Sequence, residues 1–265
     1  MDVNAIYETL AQSRGIYFER AKTWKHTQEY AKYLPPPQKS IKYDYDTNFT
    51  CNQQYSTQII IEDIDCLDCA LRENSSVLNL ADDSFPGGIP EYSGAQEESI
   101  FRRTNLYMTL GLHLYPIRDG QAILSKNVCV FKASEDKNWE MIEKPIQINI
   151  ISCPGIRHPM LIDGYLNETD RKRLRIKIET ILQLASRSGH TKIILGALGC
   201  GAWRCPAYDV AHIFKDVLLT TFSGVFEKVI FAIKKMPPNT YIIRACPNEC
   251  QKDNYDVFDE VFRAR

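Results

Sequence analysis

No stretch of this 265-residue chain approaches the roughly 20 apolar residues that a membrane-spanning helix needs, so no membrane association is expected. Its opening, MDVNAIYETL, lacks the basic start and apolar core of a secretory signal; an aqueous intracellular setting is expected, cytoplasmic or, in a eukaryote, also nuclear. An excess of one charge is missing too. With 32 Lys and Arg against 33 Asp and Glu, the formal charge of −1 offers no broad cationic footprint for nucleic acid, so any anionic ligand must be held locally. The histidines, His26, His113, His158, His190 and His212, show no HxH or HxxxH spacing, and none nominates a metal site. No internal repeat occurs.

Cysteine is not scarce, but its number is odd. Nine thiols in a chain large enough to fold without staples read as reduced. Cys66-Leu67-Asp68-Cys69 and Cys246-Pro247-Asn248-Glu249-Cys250 admit a zinc reading, but the second spacing is loose and the pairs are far apart, so buried thiols and no metal or other cofactor are expected. Cys200, near a helix start, reads either as an activated thiol or, with no histidine beside it in sequence, as a small packing residue.

Hydrophobic residues at 44% and charged residues at 25% are those of an ordinary globular protein, read here as one compact monomeric unit. A helix-compatible stretch from Tyr7 to Tyr33 ends at Pro35-Pro36-Pro37, and the polar Gln38 to Ser56 reads as an irregular connector. Residues 1–56 therefore read as a helical extension with its connector, packed on a domain of residues 57–265. There, Gln58–Ile61, Ser76–Leu80, Asn127–Ala133, Ile146–Ser152, Thr191–Leu195 and Phe226–Ile233 read as strands, Ile146–Ser152 as an interior one. Leu174, Ile178, Ile181, Leu182 and Ala185 follow helical spacing between Thr169 and Ser188, and a second helix runs from Pro206 to Phe222. Strands and helices interleaved in this way predict an α/β sandwich.

Two glycine-bearing loops each follow a strand and precede a helix. The first, from Pro86-Gly87-Gly88-Ile89-Pro90 to Ser93-Gly94-Ala95, leads straight into Gln96-Glu97-Glu98; the second runs from Gly196 to Trp203. Glycines let backbone N–H groups approach a ligand, and a helix start adds a dipole favourable to phosphate, so a pyrophosphate can be held without net positive charge. Tight connection alone would also explain each loop. Paired acids at a helix start commonly just complement its dipole, but at the exit of a glycine loop a carboxyl is desolvated beside a bound sugar and its pKa rises. Glycoside cleavage needs a proton for the leaving oxygen and activation of water, which one carboxyl can serve in turn. Arg157-His158 follows a strand at the sheet edge where ligands gather and is a further site candidate; Asp170-Arg171-Lys172-Arg173 reads as a solvated first turn.

Val77-Leu78-Asn79-Leu80-Ala81, Pro86-Gly87-Gly88, Gly94 to Ser99, Arg102-Arg103-Thr104, Tyr115-Pro116, Cys129-Val130-Phe131 and Leu195 to Trp203 together resemble the microbial-type poly(ADP-ribose) glycohydrolases, a branch of the macro-domain superfamily. The resemblance spans roughly Ile59 to Phe262, with only the two loops specific. It implies a macro-domain-like three-layer α/β/α sandwich with a mixed central sheet. It also implies release of ADP-ribose from poly- or mono-ADP-ribosylated protein. Glu98 would be the general acid/base and Glu97 would orient the ribose; Gln96, Gly87 and Gly88 would shape the pocket, and Asn79 would hold the loop or the ribose. Gly199, Cys200, Gly201, Ala202 and Trp203 would cradle the diphosphate, and Asp65 and Cys66 fall where macro domains recognise adenine. Three positions depart from the family: Ile89 replaces a third glycine, Phe85 a common Asn, and Trp203 a Phe. A β-branched residue resists positive φ. Ile89 is therefore expected to redirect the loop, restricting polymer access, favouring a single terminal ADP-ribose, or leaving a non-catalytic ADP-ribose reader. A phosphate-binding enzyme of unrelated chemistry is a third reading.

Overall fold

Alternation along the strands divides the apolar side chains between two faces of one sheet. Val77, Ile123, Ile150, Ile194 and Ile230 join one buried cluster, while Leu78, Leu124, Ile151, Ile193 and Phe231 join another. The structure, a computed structural model, describes residues 3–235 and 252–264. Its strands are β1 (Ile41–Asp44), β2 (Gln58–Glu62), β3 (Ser76–Leu80), β4 (Gln121–Lys132), β5 (Met141–Cys153), the short hairpin β6 (Leu161–Ile162) and β7 (Tyr165–Leu166), β8 (Lys192–Leu195) and β9 (Lys228–Ala232). The central sheet runs β1-β4-β5-β3-β8-β9-β2; β5 through β2 are parallel, and β4 lies antiparallel to both β5 and β1.

The helices are α1 (Val3–Tyr30), α2 (Cys66–Glu73), α3 (Gln96–Arg103), α4 (Glu168–Arg187), α5 (Ala207–Leu219) and α6 (Asn254–Arg263). Leu174 and Ile178 of α4, Val210 and Phe214 of α5, and Val257 and Phe258 of α6 cover one face; Leu67 and Ala70 of α2 with Ile100 and Phe101 of α3 cover the other. The result is a three-layer α/β/α sandwich with a mixed central sheet. Outside α3 lies α1, whose Trp24 ring stands 6.2 Å from that of Phe101 and 5.4 Å from that of Tyr107.

Several boundaries differ from the sequence reading. Within the supposedly irregular connector, Ile41–Asp44 forms the edge strand β1, too short and too exposed to show a period. The reading over Asn127–Ala133 catches only the second half of β4. A bulge between Ser125 and Val128, with Asn127 at φ 57°, breaks the alternation there. Likewise β5 begins at Met141, five residues before the apolar run, although it is interior as expected. Cys51, Cys66, Cys69, Cys129, Cys153, Cys200 and Cys205 are free thiols, whereas Cys246 and Cys250 lie outside the described residues. Among the described residues, no helix is long and apolar enough to cross a membrane.

One buried charge ties the helical layer together. Arg103, at the end of α3, is fully buried; it donates to Asp65 and Asp68 at the start of α2 at 2.5 Å each and to the Lys132 carbonyl at 3.1 Å. Removing one partner of such a network strands the other charges away from water. Arg103→Ala is therefore expected to lower unfolding free energy by about 3–5 kcal/mol, read from urea denaturation.

Candidate active site

The first glycine loop is built by the turn that leaves β3. Asp82 Oδ1 accepts from the backbone N–H of Ser84 (2.8 Å) and of Phe85 (3.1 Å), reversing the chain into Pro86. Gly87 and Gly88 follow with φ of 82° and 55°. A Cβ on Gly87 would overlap the Phe101 ring, and one on Gly88 would overlap Glu98 Oε1, so both the conformation and the space demand glycine. Beyond them, the buried Arg102 of α3 donates to the carbonyls of Pro90 and Ser93, each at 2.7 Å. Arg20 of α1 holds the Tyr92 carbonyl at 2.8 Å and pairs with Glu135. The N-terminal helix thus braces the loop from behind.

At the start of α3 the two glutamates part company. Glu97 is 4% exposed, yet its carboxylate accepts three N–H groups: Asn79 Nδ2 at 3.2 Å, Gly87 N at 3.1 Å and Asp82 N at 2.7 Å. Burial pushes its pKa up to about 8, against those donors, which favour the ionised form. The raised carboxyl expected from the sequence is therefore found at Glu97. Glu98 is half-buried; its Oε1 lies over the Gly88 backbone and is 3.4 Å from the Ile89 N–H.

Gln96 mends the sheet. Register between β3 and β8 stops at Val77↔Ile194; beyond it, Gln96 Nε2 donates to the Leu78 carbonyl and Gln96 Oε1 accepts from Leu80 N, both at 2.7 Å. The side-chain amide stands in for a missing strand residue where β3 and β8 separate, and the cleft opens there. Asn79 is fully buried on β3, bonded through Nδ2 to Glu97 and to Ser152 Oγ at 3.0 Å.

The cleft encloses about 330 Å³ and is lined by Asp82, Gly88, Ser93, Gln96, Glu97 and Glu98 on one side and by Gly155, Ala197, Gly199, Gly201, Ala202 and Trp203 on the other. Gly155, at the exit of β5, is a residue that sequence reasoning missed, although a glycine directly after a strand was a usable signal. A Cβ there would stand 2.7 Å from Gly199 Cα, so the two backbones touch. Two residues on, Arg157 lies over the Trp203 ring at 4.4 Å and pairs with Asp82 (2.7 Å) and Asp83 (2.8 Å); the His158 N–H donates to the Trp203 carbonyl at 3.0 Å.

Some nominated residues stand apart from this cleft. Asp65 caps α2, accepting from Leu67 N (2.8 Å) and Asp68 N (3.1 Å), and is paired with Arg103. Cys66 is buried beside Gln96 Nε2 at 3.3 Å, with its thiol pKa pushed well up by burial. Asn79, Gly87 and Cys200 likewise do not line the cleft; the first two act through Glu97, and Cys200 Sγ is 3.7 Å from the Leu198 carbonyl. The steric objection to Ile89 fails: its φ is not positive, and its side chain, 57% exposed, lies outside the cleft lining.

Residues 7–133 match the family model described as microbial-type PARG, catalytic domain. No curated protein matches the chain. Among solved structures, poly(ADP-ribose) glycohydrolase (PARG) from Thermomonospora curvata superposes with a TM-score of 0.76 at 22% identity, over 92% of this chain and 99% of that one. The same enzyme bound to the inhibitor ADP-HPD gives 0.73 at 21%, over 91% and 98%. A PARG from Deinococcus radiodurans in complex with ADP-ribose gives 0.65 at 22%, over 80% and 86%. At these identities the superpositions establish the fold, and the sequence of residues 7–133 is similar to the microbial-type PARG catalytic domain.

Proposed function

We propose that this protein is an ADP-ribosyl glycohydrolase that cleaves the ribosyl glycosidic bond of ADP-ribosylated protein, poly- or mono-modified, and releases ADP-ribose. The observation that carries the reading is the Glu98 carboxyl seated against Gly88 at the cleft, between two glycine loops and beside a buried second carboxyl. The family-model match and the ADP-ribose and inhibitor complexes of its structural neighbours point to the same substrate. Glu98 gives its proton to the departing oxygen as positive charge develops at the anomeric carbon, then draws a proton from the attacking water. Glu97, with three acceptor positions already filled by protein donors, keeps roughly one of a carboxylate's four for a ribose hydroxyl. Gly199, Gly201, Ala202 and Trp203 form the opposing wall for the diphosphate. With Ile89 unstrained and outside the lining, nothing at that position favours a non-catalytic reader. The protein is read as a cytoplasmic monomer without sequence-specific nucleic-acid binding.

Glu98→Gln keeps the shape and removes the transferable proton. Release of ADP-ribose from a modified protein should fall by about 10²–10⁴-fold, the usual contribution of general acid/base catalysis, while calorimetry finds free ADP-ribose bound as in the wild type. Binding without release by the wild type would instead establish a reader. Gly88→Ala pushes Glu98 from its seat and should lower kcat by roughly 10²-fold, the scale of a 1 Å misplacement, with secondary structure retained by circular dichroism.

The pH dependence of folding tests the Glu97 environment. Its folded pKa, about 8, lies above the ordinary glutamate value of 4.5, so the native state holds a proton that the unfolded chain releases between those values. The stabilisation is fully present below pH 4.5 and is lost as pH rises through 8. Glu97→Gln cannot titrate. In urea denaturation, the stability of wild type relative to this variant is expected to fall between pH 5 and pH 8.5; a constant difference would contradict the assigned environment.

A further inference from the structure

Among the described residues lining the cleft, Asp82, Glu97 and Glu98 are acidic and none is basic, yet the ligand assigned to it is a diphosphate. Burial keeps Glu97 largely protonated near neutral pH, so the like charge that a diphosphate meets here is that of the other acids, and like charges partly shielded from water repel strongly. The compensation of Asp82 is Arg157. Its guanidinium Nη2 lies 2.7 Å from Asp82 Oδ2 and 2.8 Å from Asp83 Oδ1, while its Cζ stands over the Trp203 ring at 4.4 Å from the centroid. Arg157 is a point of contact between the two loops. Asp82 anchors the acid loop, shaping its turn through Oδ1 and holding Glu97 through its backbone N–H. Trp203 belongs to the opposite wall, and its carbonyl is held by the next residue, His158.

We propose that Arg157 is a positioning residue that joins the acid loop to the phosphate loop across the cleft mouth and neutralises Asp82 and Asp83, so that a diphosphate can enter beside the acid pair. The assignment rests on the functional reading above. It uses two properties of arginine together: the fork that spans two carboxylates, and the delocalised cation that stands over an indole. Lysine supplies the charge without the delocalised fork. The side chain is 42% exposed, so its removal spares the core.

The test is calorimetric titration of ADP-ribose into the wild type, Arg157→Ala, Arg157→Lys and the double variant Arg157→Ala/Asp83→Asn, with steady-state release assayed alongside. Arg157→Ala is expected to raise Kd and KM about tenfold or more at low salt, with a smaller change in kcat, as for lost uniform binding. Arg157→Lys should recover part of that loss. Asp83→Asn in the alanine background should recover part as well, because it removes a repelling charge; a role confined to fold maintenance would gain nothing from it. Unchanged affinity in Arg157→Ala, or no rescue in the double variant, overturns the proposal. Failure of the wild type to bind ADP-ribose overturns the functional reading and this one with it, whereas wild-type binding with an indifferent Arg157→Ala overturns this one alone.

Discussion

A carboxyl group can leave water only where protein partners replace its hydration, and Glu97 meets that condition with N–H groups from three separate places: the side chain of Asn79 on β3, the turn at Asp82 and the loop at Gly87. Because the donors come from different segments, satisfying the carboxyl oxygens fixes those segments relative to one another. The strand end, the reversal after it and the first turn of α3 are set by one group. Gly88 follows Gly87 directly, so the seat of Glu98 inherits that placement. The cleft geometry is in this sense a by-product of keeping one buried acid solvated by protein.

Support for the loop continues outward through polar contacts as well as aromatic ones. Arg102 holds two loop carbonyls from within α3, Arg20 reaches the Tyr92 carbonyl from α1, and Lys132 Nζ donates to the Thr23 carbonyl and Thr27 Oγ1, each at 2.9 Å. Burial pulls the Lys132 pKa down to about 8. The N-terminal helix is thus part of the machinery that shapes the loop. The family match, which begins at residue 7, includes it.

What was legible in the sequence follows from periodicity and from glycine. Strands β3 and β8 and helices α4 and α5 announce themselves because both faces, or one clear stripe, are apolar. The strand β1 did not, since an edge strand of four partly exposed residues carries no pattern. At the site, the acid pair and both loops were visible as residue types. Their division of labour was not, because burial of Glu97 and half-exposure of Glu98 depend on which way a helix turn faces. Gln96 reads as a pocket residue and does line the cleft, but the gap between β3 and β8 that its amide also mends is not visible in the sequence. For Asp65, its cap of α2 and its pairing with Arg103 were not legible, because the partner lies 38 residues away. Ile89 reads as an obstruction only if a third positive φ is needed, and the backbone does not need one.

The strand order also bears on how the molecule is made. The outer parallel edge, β2 against β9, joins segments so distant that Thr57 Oγ1 meets the Phe226 carbonyl 169 residues away. A nascent chain emerging from the ribosome must hold β2 without its sheet partner until most of the sequence has been translated. Contacts of such long sequence separation slow folding, since the entropy of closing the intervening chain is lost before the pairing returns anything. Meanwhile Ile59, Ile60 and Ile61 present an open strand edge, the kind of surface on which chaperones and aggregation compete.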